Sequence, residues 1–230
     1  MSFRALLFDM DGVVIDTHQS VTTFWLDLAQ QYQVTLTDDD FAKHIYGCPL
    51  NQTLDICFPK LTADERKAIH RHMVDYESNL AYDEVPGVSA LLRALRQAGF
   101  PVALVTSGEP HKVEAVLSQL NIENVFSTIV TAVDIQHGKP DPEGYLLAAK
   151  RLAQAPENCV VFEDSTAGIT AGYSAGAFCV GLDSWGNRAA LQRAGAAHII
   201  PNFADVRLER NGKDNLTLQL DNTKMLNLIL

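Results

Sequence analysis

Six short apolar runs, at about 4–8, 101–106, 125–131, 158–163, 177–182 and 197–200, constrain this chain more than any other feature. Runs of that length without polar alternation read as strands buried on both faces, which is the signature of a parallel sheet. Helical patterns separate most of them, at 88–98, 112–120, 144–152 and 166–175, with Gly99 and Gly176 placed as helix stops. Strand and helix alternating in this way give an α/β fold, a Rossmann-like doubly wound parallel sheet.

The first interval breaks the alternation. Between the first run and the second the chain carries only helix-like patterns, at 17–33, 38–46, 50–57 and 63–82, before Pro86-Gly87 punctuates the return to the sheet. The expected organisation is a Rossmann-like core of residues 1–15 and 87–210, an inserted four-helix cap of residues 16–86, and a C-terminal tail of residues 211–230. In the tail, Asn211-Gly212 reads as a turn, 215–220 alternates like an edge strand, and the apolar end 225–230 would pack on the core or on a partner.

Composition narrows the function classes. Apolar residues at 47% and charged residues at 20% suit an ordinary folded core. A net charge of −10 argues against nucleic acid or an anionic membrane as partner, so an anionic ligand would need a local positive site. The four cysteines form no C-x-x-C pair, which argues against a zinc site or a disulfide scaffold, and no apolar run is long enough to span a membrane. A cytoplasmic protein, monomer or weak homodimer, is expected.

Chemistry-bearing residues gather where the apolar runs end. The first run meets Asp9-Met10-Asp11-Gly12, two carboxylates at the carboxyl end of a strand, where open α/β sheets bind ligands. Such a pair calls for a cation between its members, although Asp-Gly is also a common turn dipeptide. The second run ends in Thr106-Ser107-Gly108, a hydroxyl and free N–H groups suited to an anion or simply to a helix cap. Lys139 is held between Gly138 and Pro140, and 160–162 leads into Glu163-Asp164-Ser165, a second acid pair at a helix start.

Acid pair, hydroxyl, lysine and acid pair, in that order at successive strand ends and with a helical insertion after the first, resemble the haloacid dehalogenase-like superfamily of phosphohydrolases over about residues 3–207. The resemblance implies that Asp9 is the nucleophile forming an aspartyl-phosphate, and that Asp11 is the general acid and base. Thr106, Ser107, Gly108 and Lys139 would then bind the phosphoryl group, and Asp9, Asp11, Glu163 and Asp164 would hold Mg²⁺. The function it implies is a Mg²⁺-dependent phosphatase for a small phosphorylated metabolite such as a sugar phosphate. The cap segment 44–52, with Thr17 and His18, is expected to reach the cleft, while His18 and His44 read as solvated or N-terminal helix positions and the cluster Arg66, Lys67, His70, Arg71 and His72 reads as a solvated helix face.

Asp11 and the second acid pair argue against a dehalogenase, and Lys43 is a weak candidate for the Schiff-base lysine of a phosphonate hydrolase. The runner-up is a sugar phosphomutase of the β-phosphoglucomutase type. Mutases of this family place a histidine early in the cap and an arginine near Gly47, where this chain has about Val21 and Leu50. A non-catalytic binding module ranks lower, since all the motif positions carry competent residues.

Overall fold

The strands form where the side chains can be buried on both faces. In the computed structural model, which describes residues 2–183 and 185–230, Ala5–Phe8 (β2), Val102–Val105 (β3) and Cys159–Glu163 (β5) are buried at every position. With Thr128–Val130 (β4), Phe178–Leu182 (β6) and His198–Ile200 (β7) they make a six-stranded sheet in the order β4-β3-β2-β5-β6-β7, parallel throughout. The chain therefore starts at the centre and winds outward first to one side and then to the other. That places the topological switch between β2 and β5, whose register pairs Phe8 with Phe162.

Alternate side chains of these strands feed two apolar layers. Leu6, Phe8, Leu104, Val160 and Phe162 face helices Val88–Ala98 (α5) and Pro110–Leu120 (α6). Ala5, Leu7, Ala103, Val105 and Val161 face Glu143–Arg151 (α7), Thr166–Ser174 (α8) and Arg188–Ala194 (α9).

Residues 18–78 form a helical set with an apolar cluster of its own, in which Phe24, Trp25, Leu28, Phe41, Leu54, Phe58 and Ile69 are buried. Its helices are His18–Gln31 (α1), Asp38–Asp40 (α2), Leu50–Cys57 (α3) and Ala63–Ser78 (α4). Capping boxes start two of them, Thr37 with Asp40 and Thr62 with Glu65. The helix expected over 38–46 is α2 followed by a π-helical turn, Phe41–Ile45, closed by Tyr46 N–H on the Phe41 carbonyl at 3.0 Å. The helix expected to reach Tyr82 stops at Ser78, and the Gln119 side chain accepts from Tyr82 N–H. Two connections join the helical set to the sheet, and they pair with each other: Asp16 N–H donates to the Asp83 carbonyl and Val85 N–H to that of Val14.

Both ends of the chain depart from the sequence reading. Ahead of the first run, Ser2–Phe3 (β1) belongs to a second sheet ordered β1-β10-β9-β8, with Arg207–Arg210 (β8), Asn215–Gln219 (β9) and Met225–Ile229 (β10). The segment expected as an edge strand is interior to that sheet, antiparallel to β10 on one side and β8 on the other. Its alternation is real: Leu216 and Leu218, with Leu226 and Leu228 of β10, are buried in the layer that also holds α5.

Candidate active site

Strand β2 delivers Asp9 and Asp11 to the switch crevice, and a turn keeps them there. Three successive amides, Val13, Val14 and Ile15, converge on the Met10 carbonyl, and Gly12 takes the left-handed conformation at φ 75°. A Cβ on Gly12 would lie 1.9 Å from Asp164 Oδ2, so glycine lets the second acid pair approach the first. Asp9, Glu163 and Asp164 each present a carboxylate oxygen within 4.8 Å of the others.

Lys139 is the cation of this cluster. It is buried, and its Nζ donates to Asp9 Oδ1 at 2.5 Å, Glu163 Oε1 at 2.5 Å and the Val105 carbonyl at 3.3 Å. Glu163 is fully enclosed by donors: Lys139 and the Tyr145 hydroxyl on Oε1, and the Asp164 N–H, Ser165 N–H and Ser165 hydroxyl on Oε2. Asp9 Oδ2 is different. It is buried and meets no donor among the described residues. Burial, with Glu163 and Asp11 adding to it and Lys139 opposing, pushes the Asp9 carboxyl up to about 7. Burial and the neighbouring carboxylates of Glu163 and Asp9 likewise hold the Asp164 carboxyl well above its ordinary value. One lysine does not balance three carboxylates, and the free oxygen of Asp9 beside Asp164 is a hard-oxygen donor set that fits a divalent cation.

Asp11 has a separate support. Its Oδ1 accepts from the Thr17 hydroxyl at 2.7 Å and from Lys112 Nζ at 2.8 Å, and Lys112 also reaches Glu77 Oε1 at 3.1 Å. Lys112 is buried in the first turn of α6, and Glu77 stands in the last turn of α4. Thr106 accepts the Gly108 N–H at 2.9 Å, which leaves its own proton for a ligand in the adjoining cavity.

That cavity, about 120 Å³, is lined by Asp9, Asp11, Thr106 and Asp164 at its base and by Tyr46, Gly47 and Cys48 from the helical set. The segment around Gly47 sits on the loops of the sheet. The Ser107 hydroxyl donates to the Gly47 carbonyl at 2.7 Å, Thr166 donates to that of Ala42 at 2.8 Å, and Gln52 to that of Lys139 at 3.3 Å.

All the residues singled out at strand ends therefore meet in one place. Two refinements concern side chains: the Ser107 hydroxyl ties down the Gly47 loop, and the Glu163 oxygens are filled by protein donors. Two of the histidines read as helix positions also line the cavity, His18 at the start of α1 and His70 on α4. The His18 ring lies against Trp185 at 4.8 Å and Tyr46 at 4.7 Å, and burial lowers its pKa. His70 lines the cavity and bonds Glu109 at 2.6 Å. Lys112, Glu77, Tyr145 and Asn187, whose side chain donates to the Asp164 carbonyl at 2.6 Å, escaped the sequence reading. Lys112 and Glu77 did leave a local trace: a lysine at a helix start and a glutamate at a helix end both oppose the macrodipole, and each needs a partner of opposite charge.

Comparison with known proteins agrees with this geometry. The family model described as haloacid dehalogenase-like hydrolase matches residues 3–176. The chain is 32% identical over 216 residues to validoxylamine A 7'-phosphate phosphatase of Streptomyces hygroscopicus subsp. limoneus, covering 89% of this chain and 96% of that protein. It is 31% identical to 2-deoxyglucose-6-phosphate phosphatase 2 of Saccharomyces cerevisiae, with 94% of each covered. The crystal structure of β-phosphoglucomutase from Clostridium difficile superposes with a TM-score of 0.73 at 25% identity, covering 88% of this chain and 92% of that one. The matched region holds both acid pairs, Thr106 and Lys139 on the same α/β frame, and the chain belongs to the haloacid dehalogenase-like hydrolase family.

Proposed function

We propose that this protein is a Mg²⁺-dependent phosphatase that hydrolyses a small sugar or polyol phosphate through an aspartyl-phosphate on Asp9. The observation that carries this reading is the division of labour between two carboxylates on one turn. Asp9 is clamped by Lys139 on one oxygen and free on the other, whereas Asp11 is held by Thr17 and Lys112.

One Asp9 carboxylate oxygen attacks phosphorus while the other is left to the metal site; the bond to the substrate's leaving oxygen breaks, and Asp11 gives the leaving oxygen its proton. Asp11, now ionised, then removes a proton from the water that attacks the aspartyl-phosphate, which releases phosphate and restores Asp9. Thr106 and the Ser107 and Gly108 amides contact the phosphoryl oxygens, and Lys139 neutralises charge beside Asp9. Mg²⁺ would be held by Asp9, Asp164 and the Asp11 backbone carbonyl, and supplies positive charge against the phosphoryl group. Glu163 acts one step back, orienting Lys139.

In this reading residues 16–86 are a cap, hinged where 14–16 pairs with 83–85, that closes over 1–15 and 87–210 and excludes water. The separate apolar cluster and the contacts at Gly47 support it. Val21 and Leu50 line the cavity with apolar side chains, and this favours hydrolysis over the mutase reaction. A cytoplasmic location remains part of the proposal; among the described residues no helix is long and apolar enough to cross a membrane.

The test is phosphate release from a panel of sugar phosphates with Mg²⁺, with EDTA, and with D9N and D11N. Release should vanish with EDTA and with D9N, and fall roughly 10²–10⁴-fold with D11N. Isomerisation of a hexose 1-phosphate without release would replace the phosphatase by the mutase.

A further inference from the structure

Beyond its phosphoryl end, the cavity has a wall of unusual charge. Outside the Asp9, Asp11 and Asp164 site, two further carboxylates, Glu77 and Glu109, line the cavity against one lysine and, among the described residues, no arginine. The lysine, Lys112, is already bonded to Asp11 and Glu77. The imidazoles on the same side are also turned to acids. His70 Nε2 bonds Glu109 Oε1 at 2.6 Å, and His111 stands 3.3 Å from Glu77 Oε2 and 3.6 Å from Glu109 Oε2. The remaining lining histidine, His18, lies between Tyr46 and Trp185, where burial lowers its pKa. Lys112, His70 and His111, which could otherwise meet a second anion on the substrate, therefore each have a carboxylate partner, and His18 is enclosed by aromatic rings.

Glu109 is placed to act on the leaving group. It follows the phosphoryl-binding stretch Thr106-Ser107-Gly108 directly and precedes α6, and its side chain makes no capping bond. Lys112 bridges Asp11 to Glu77, and Glu77 and Glu109 line the same cavity, so a leaving group that extends past Asp11 would meet both carboxylates. Carboxylates and imidazoles there accept and donate to hydroxyls, and Phe24, Trp25 and Met73 offer apolar contact to a carbon frame.

Resting on the phosphatase reading, we infer that Glu109, with Glu77, is a specificity determinant that restricts the enzyme to polyhydroxy phosphomonoesters whose leaving group carries no negative charge. Phosphorylated carboxylic acids and bisphosphates would bring an unpaired anion against two carboxylates, and like-charge juxtaposition of that kind is strongly unfavourable.

Matched pairs that differ mainly by a carboxylate test this: glucose 6-phosphate against 6-phosphogluconate, and glycerol 3-phosphate against 3-phosphoglycerate. Each is read as a substrate or, where turnover is absent, as a competitive inhibitor of p-nitrophenyl phosphate hydrolysis. The acid member of each pair should be poorer by about tenfold or more in kcat/KM or Ki. E109K should shrink that ratio mainly by improving the acid member, with E109Q, the milder change, moving it part of the way. Equal constants within the pairs, or a ratio unmoved by both variants, would overturn the inference while leaving the phosphatase intact. Failure to hydrolyse every probe, p-nitrophenyl phosphate included, would overturn the phosphatase reading and this inference with it.

Discussion

Asp9 sits in more negative surroundings than an ionised carboxylate tolerates in a dry site, and its chemistry follows from that imbalance. Its folded pKa of about 7, raised chiefly by burial, exceeds its ordinary value of 3.8. Without metal, folding therefore takes up a proton at Asp9, and this group costs stability increasingly as pH rises from about 4 to about 7. A divalent cation held at Asp9, as proposed, would replace that proton. The rise in Tm on adding Mg²⁺ should be larger at pH 8 than at pH 5, measured by thermal melts at matched ionic strength. An equal rise at both values would mean that the metal does not meet Asp9. Asp9, Asp11, Thr106 and the second acid pair were legible because each stands at the end of an apolar run, and Lys139 because Gly138 and Pro140 fix its place in the chain. Lys112, Glu77 and Tyr145 were not, since they lie inside helices and gain their roles only from the distant residues they touch.

The loop after the π-helical turn shows the same contrast between local pattern and packing. Gly47 has φ 74°, and a Cβ there would stand 2.3 Å from Ser165 Oγ. G47A meets both the left-handed backbone penalty of about 1–2 kcal/mol and a clash with the sheet loop on which the segment rests. The expected result is a kcat/KM lower by roughly tenfold with a folded protein, since a misplaced closing segment disturbs the site more than the core. Circular dichroism beside steady-state kinetics separates the two effects, and unchanged kinetics would show that seating of Gly47 is dispensable. The reading of 38–46 as one regular helix missed the extra residue in the Phe41–Ile45 turn. Apolar spacing reports which side of a segment is buried, and a single inserted residue changes that spacing too little to be seen.

At the scale of the molecule, the last twenty residues are part of the core. Leu216, Leu218, Leu226 and Leu228 are each at most 3% exposed, in one layer with α5 and the central strands. Burial of such side chains contributes about 1.5–3 kcal/mol each, together comparable to the net stability of a whole domain. A chain truncated after Arg210 should lose its cooperative thermal transition and bind a hydrophobic dye. A sharp transition near that of the full protein would show that the second sheet is an accessory.

The sequence by itself determined which segments must be buried strands, which must be helices between them, and which side chains leave the strand ends toward a common crevice. These follow from local spacing and from short-range rules of chain geometry. Only the tertiary structure decided that Ser2–Phe3, ahead of the first run, pairs with Met225–Ile229, that the alternating tail segment lies between two strands, and that Lys112 bridges Asp11 to Glu77. An apolar face requires a partner but does not name it, and a buried charge requires an opposite charge from wherever the fold brings one. Those choices depend on the shape and electrostatics of the assembled molecule.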